Sequence, residues 1–163
     1  MLNKLVVLIC TLLLVACDDK PSFIDIEKNF TANRAAFDEL AKIACKLGQT
    51  KQPFSYTVDS FSYSPDKIKA NHRIKAVDIL LMKLGGNGVN YKKTMSGKCS
   101  LVIGYYARGF AGSGISYSYG FQIEPITPHE KEIVSFEKIT ATGKAAVFDK
   151  PLAGGWYFTF KYT

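Results

Sequence analysis

An α+β fold, two helices packed on a mainly antiparallel sheet in a single compact domain, is what this 163-residue sequence predicts. Three observations lead there. Two long stretches carry apolar residues at three- and four-residue spacing, the period of a helix with one buried face. Shorter runs alternate apolar with polar residues, the period of a strand. The second half holds short strands and turns, two of the strands flanking glycines as in an antiparallel hairpin.

The first helix is expected from Phe23 to Leu47. Ile26, Phe30, Phe37, Leu40, Ala41, Ala44 and Leu47 fall mostly on one stripe, while Lys28, Arg34, Asp38, Glu39 and Lys46 fall largely off it. Gly48 follows as a C′ residue, a position that favours a left-handed conformation. In residues 49–64, Phe54, Tyr56 and Val58 alternate with polar neighbours and Phe61 and Tyr63 continue the repeat, which reads as one strand. Ser64-Pro65-Asp66 reads as a helix entry, with Ser64 as cap and Pro65 at the first position. That helix runs through Ile68, Ile74, Val77, Leu81 and Leu84 to a stop at Gly85-Gly86-Asn87-Gly88.

Strands are then expected at residues 89–93 and 99–106, and at 115–124 after a wide Gly-rich loop holding Gly109, Gly112 and Gly114. Pro125 and Pro128 interrupt the pattern. Apolar runs at 133–139, 146–148 and 156–162 complete it, the last alternating well enough to be a closing strand. No internal repeat or low-complexity segment is present.

The amino end has a different character. Met1-Leu2-Asn3-Lys4 precedes an uncharged run from Leu5 to Ala16, the n-region and h-region of a secretory signal. The run is shorter than the roughly 20 apolar residues a spanning helix needs. It ends Leu14-Val15-Ala16-Cys17, followed by Asp18, Asp19, Lys20 and Pro21. This resembles the bacterial lipobox, in which a small residue precedes the cut and the cysteine thiol takes a diacylglyceryl group.

The resemblance implies a signal peptide over residues 1–16, a lipidated tether over 17–22 beginning at Cys17, and one periplasmic domain over 23–163. Each buried acyl methylene is worth about 0.8 kcal/mol, so a multiply acylated cysteine holds firmly to a bilayer. Asp18 resembles the inner-membrane retention signal of enterobacteria-like lipoproteins, although an outer-membrane location fits as well.

Of the four cysteines, Cys10 leaves with the signal and Cys17 is consumed by lipid. Cys45 and Cys99 remain, an even pair in an oxidising compartment, and a Cys45–Cys99 disulfide is expected. The alternative is two separate buried thiols. The formal net charge of +7 favours acidic partners or anionic headgroups and carries no information on fold.

Chemistry-bearing motifs are few. His72 and His129, with the two cysteines, lack the short paired spacings of a zinc site. Gly109-Phe110-Ala111-Gly112-Ser113-Gly114 fits neither phosphate-loop order, and Ser113, Ser116 and Ser118 lack the frame of a nucleophile elbow. No enzyme, metal or cofactor is expected, and the compartment disfavours nucleic acid. Two features suit partner binding: the basic run Lys67, Lys69, His72, Arg73 and Lys75 on the second helix, and the aromatic stretch Tyr105, Tyr106, Phe110, Tyr117 and Tyr119.

Lys83-Leu84-Gly85, the glycine hairpin from Gly109 to Gly120, and Gly155-Trp156-Tyr157 together resemble a set of small, mostly uncharacterised proteobacterial lipoproteins. Some of these act as immunity partners of secreted antibacterial effectors. The expected anchor, the single domain, the basic and aromatic candidates and the lack of a catalytic constellation together lead to the expectation of a non-enzymatic, membrane-anchored periplasmic binding protein with an acidic protein partner, and the resemblance adds the immunity role. The rival expectation is an envelope structural or assembly lipoprotein that binds lipid, peptidoglycan or an envelope complex.

Overall fold

A computed structural model describes residues 20–49, 55–57, 60–63, 73–94, 96–110, 113–126, 143 and 145–163. The fold is α+β, as the periodicities predict, with helices on one face of an antiparallel sheet. The helices are α1 (Phe23–Ala32), α2 (Arg34–Gln49) and α3 (Lys75–Leu84). The strands are β1 (Ser55–Thr57), β2 (Ser60–Tyr63), β3 (Gly88–Lys93), β4 (Cys99–Phe110), β5 (Ser113–Phe121), β6 (Ala146–Pro151) and β7 (Trp156–Tyr162). They form one seven-stranded sheet in the order β1-β2-β3-β4-β5-β7-β6.

The long amphipathic run is therefore two helices, not one. It breaks at Asn33, whose φ of −114° and ψ of 18° leave the helical region. The Asn33 side chain donates to the Asn29 carbonyl at 3.2 Å and to Asn29 Oδ1 at 2.8 Å, which stabilises the break. α1 starts at Phe23, as expected, and its cap Ser22 is the last residue of the expected tether. Ser22 Oγ accepts the Asp25 N–H at 3.2 Å while the Asp25 carboxylate accepts the Ser22 N–H at 3.0 Å, a capping box. These Ser22 hydrogen bonds hold the Asp25 carboxyl below its usual range.

Gly48 does not end α2, which continues to Gln49. Its missing Cβ instead admits the Tyr91 ring, which a side chain there would strike. Gly85 does fill the C-terminal role at α3: it is left-handed at φ +68°, and the Gly86 N–H reaches the Leu81 carbonyl at 2.8 Å.

Within the expected strand of residues 49–64, the described residues form two antiparallel strands, β1 and β2, with Thr57 paired to Ser60. The expected second helix does not run unbroken to Leu84, because Ile74 is extended (φ −105°, ψ 94°) and α3 begins at Lys75. The Ser64-Pro65-Asp66 entry lies outside the described residues. The expected wide loop narrows too, since β4 and β5 stay paired as far as Phe110 and Ser113. The 133–139 run lies outside the described residues.

The sheet face beneath the helices is aromatic. Rows of paired positions cross it: Val89, Ile103, Tyr119 and Phe158 form one, and Tyr91, Leu101, Phe121 and Trp156 another. α1 and α2 close over them with Ile26, Phe30, Phe37, Leu40 and Ala44, all buried. Phe37 sits 4.6 Å from the Tyr119 ring and 5.2 Å from Trp156. The opposite face is more polar: Asp149 there accepts a hydrogen bond from the Thr159 hydroxyl and another from the Ile126 N–H at 2.7 Å. Cys45 of α2 and Cys99 of β4 form the expected disulfide, with their Cα atoms 5.6 Å apart, so the end of the helix layer is bound to the sheet.

Tyr119 links the layers through polar atoms. Its hydroxyl donates to the Ile26 carbonyl at 3.2 Å and accepts from Asn29 Nδ2 at 3.1 Å, while Asn29 also reaches the Leu84 carbonyl of α3 at 3.0 Å. Burial pushes the Tyr119 phenol well above its ordinary value, and burial raises those of Tyr63 and Tyr105 as well. The unfolded chain then releases these protons first. Stability is fully present below the ordinary tyrosine value of about 10 and falls as pH rises above it. Tyr119→Phe is expected to cost about 1–2 kcal/mol at neutral pH and to flatten the alkaline decline. Denaturant titrations at neutral and alkaline pH check this; an unchanged alkaline slope counts against it.

Candidate binding surface on the third helix

The start of α3 is built by residues distant in sequence. No side chain of its own caps the helix at Ile74. The buried Tyr63 of β2 takes that place, its hydroxyl accepting the Ile74 N–H at 2.8 Å and donating to Asp78 Oδ1 at 2.6 Å. Arg73 Nε closes the group on Asp78 Oδ2 at 2.9 Å. Asp78 is thus shared by a phenol and a guanidinium, and burial followed by the Asp78 hydrogen bond raises the Tyr63 phenol. Because one end of α3 is held by this network and the other by Gly85, its outward face is presented rigidly.

That face is apolar in the middle. Ile79 is 50 % exposed and Met82 78 % exposed, whereas Val77, Leu81 and Leu84 on the opposite side are buried. Lys75, Ile79 and Lys83 follow at four-residue spacing, with Met82 beside them, so two exposed lysines bracket the apolar pair. A cleft of about 250 Å³ adjoins it, lined by Arg73, Asp78, Ile79, Met82 and Asn87 among others.

Cys17, Lys67 and Lys69, like His72 and His129, lie outside the described residues. Lys75 is exposed on α3, but Arg73 precedes the helix, so the basic run is not one helical face. Phe110 ends β4 opposite Ser113. Tyr117 and Tyr119 are 1 % and 0 % exposed, and as core residues neither presents its ring to a partner.

Tyr105 and Tyr106 are half-buried. A bulge between Gly104 and Tyr106 brings both toward that core, Tyr105 at 5.3 Å from the Tyr119 ring and Tyr106 at 5.3 Å from Tyr117. Ile79 and Met82 went unread in the sequence. The available signal was their place off the Val77–Leu81–Leu84 stripe: α3 has more apolar residues than one buried face uses.

Among the described residues no three His, Cys, Asp or Glu side chains gather as metal ligands, and no helix is long and apolar enough to cross a membrane. No protein-family model, curated protein or solved structure matches the chain. The fold and surface define its class: a disulfide-bonded α+β domain with an exposed apolar helix ridge.

Proposed function

We propose that this chain is a lipid-tethered, periplasm-facing protein that binds a protein partner without catalysis, and that its specific role is immunity against a secreted antibacterial effector. The observation that carries the reading is the disulfide between Cys45 and Cys99. It accounts for both cysteines left after the signal and lipobox take theirs, and such bonds persist in oxidising compartments. The run Leu14-Val15-Ala16-Cys17 supplies the anchor, and the cap at Ser22 starts the domain five residues after it. The immunity role rests on the likeness to small proteobacterial lipoproteins.

Cys17→Ser is expected to abolish incorporation of labelled fatty acid and to move the protein from the membrane to the soluble fraction. Mass spectrometry of the mature amino end checks the cleavage site. An unmodified amino end, or a variant that stays in the membrane fraction, would overturn the anchor. Failure of the anchored protein to protect cells against a co-encoded effector would remove the immunity role.

A further inference from the structure

We propose that the outward ridge of α3 is the docking surface for the partner, and that the partner presents an apolar side chain flanked by carboxylates. This rests on the binding reading above and names its surface and its chemistry. Three observations carry it. Ile79 and Met82 remain largely exposed although Val77, Leu81 and Leu84 of the same helix are buried, so the fold places two large apolar side chains in water. Methionine adapts its shape to a partner more readily than a branched residue, which suits an interface.

The second observation is the cleft of about 250 Å³ beside them, large enough for one apolar side chain and edged by Arg73, Asp78 and Asn87. The third is charge. From Arg73 to Asn87 the chain carries Arg73, Lys75 and Lys83 against the single carboxylate of Asp78, and Arg73 is already paired with it. Lys75 and Lys83 are left at the two ends of the apolar pair. An apolar centre with a charged rim is the usual arrangement of a protein interface, and this rim complements carboxylates. The Tyr63–Asp78–Arg73 network holds the helix in place, which lowers the ordering cost of docking.

The test uses the full chain in the cells that encode it. A photo-crosslinking amino acid replaces Met82, and in a second strain Val147, an exposed residue on the opposite face of the sheet. The position-82 strain is expected to give a cross-linked peptide in which an apolar residue lies within a few positions of Asp or Glu; position 147 is expected to give none. With the partner so identified and purified, Lys75→Glu with Lys83→Glu is expected to weaken binding at least tenfold at low salt. Reversing the partner's carboxylates to lysine restores it. Ile79→Ser with Met82→Ser is expected to weaken binding at all salt concentrations. Equal cross-linking at both positions, cross-links to a second copy of the chain or to a non-acidic surface, or affinity insensitive to both double variants would overturn the inference. Cross-links at position 147 alone would leave the binding reading standing and move its surface elsewhere, and the Cys17→Ser result is read independently of either.

Discussion

Trp156→Ala is expected to lower the unfolding free energy by about 3–5 kcal/mol, a large share of the roughly 5–15 kcal/mol available to a domain of this kind. The magnitude follows from its position. Trp156 is fully buried, with the Phe121 ring at 4.9 Å, Phe37 at 5.2 Å and Phe30 at 6.3 Å, so it joins the sheet to both α1 and α2. Removing the indole leaves a void that aromatic rings on three sides cannot collapse to fill. Its N–H also donates to Asp38 Oδ1 at 3.0 Å, while Arg34 holds the other oxygen at 2.9 Å.

Trp156→Phe keeps most of the apolar contact and loses the donor. Its expected cost is about 1–2 kcal/mol, because Asp38 is half-exposed and water takes over its free oxygen. Urea titration followed by far-ultraviolet circular dichroism checks both variants. Equal losses for alanine and phenylalanine would show that the hydrogen bond, not the packing, dominates. Two consecutive left-handed residues, Gly154 at φ +65° and Gly155 at φ +81°, bring β7 into register just ahead of the indole. The Arg34 guanidinium lies against Gly154, where a Cβ would collide with it.

Opening the Cys45–Cys99 bond carries a comparable penalty. The bond spans 54 residues of sequence, and in the chain-entropy account a closed loop of that length is worth about 4 kcal/mol. Cys45→Ser with Cys99→Ser is expected to lower the unfolding free energy by roughly that amount, within the 2–5 kcal/mol typical of such removals. The loop contains β1, β2, α3 and β3, so the segment that carries the proposed docking ridge is the part whose unfolded freedom the bond limits. Denaturant midpoints with and without reductant check it. A wild-type midpoint unmoved by reductant, with thiol titration proving the bond open, would contradict the entropic account.

Much of the architecture was legible because it rests on local periodicity. The stripes on α1, α2 and α3 and the alternation of β7 name the buried faces without reference to any partner: Ile26, Phe30, Phe37, Leu40, Ala44, Val77, Leu81 and Leu84 are buried as expected. Breaks in the pattern were harder to read. Asn33 interrupts a stripe that continues in phase on both sides, and nothing in the apolar spacing marks it. The start of α3 at Lys75 was hidden because its cap comes from Tyr63, eleven residues earlier on a different element. For the same reason Arg73 and Lys75, which read in sequence as part of one basic helical face, do not share a helix.

The candidate surface shows the division most plainly. Alternation along β5 marks Tyr117 and Tyr119 as one face of a strand but cannot say whether that face meets solvent or helices. Only the closure of α1 and α2 over β5, with Phe30 and Phe37 against Tyr119, decides that it is core. Ile79 and Met82 are likewise unremarkable apolar residues in a helix until the sheet claims the opposite side.

What the sequence by itself determined was the class of the fold and the buried faces of its helices, and it favoured the pairing of Cys45 with Cys99, because each follows from spacing or from the count of residues. Which aromatic rings are buried, where the helices break and which apolar residues stay in water was decided only in three dimensions. The physical reason is that burial belongs to two surfaces at once, and a chain read residue by residue supplies only one of them.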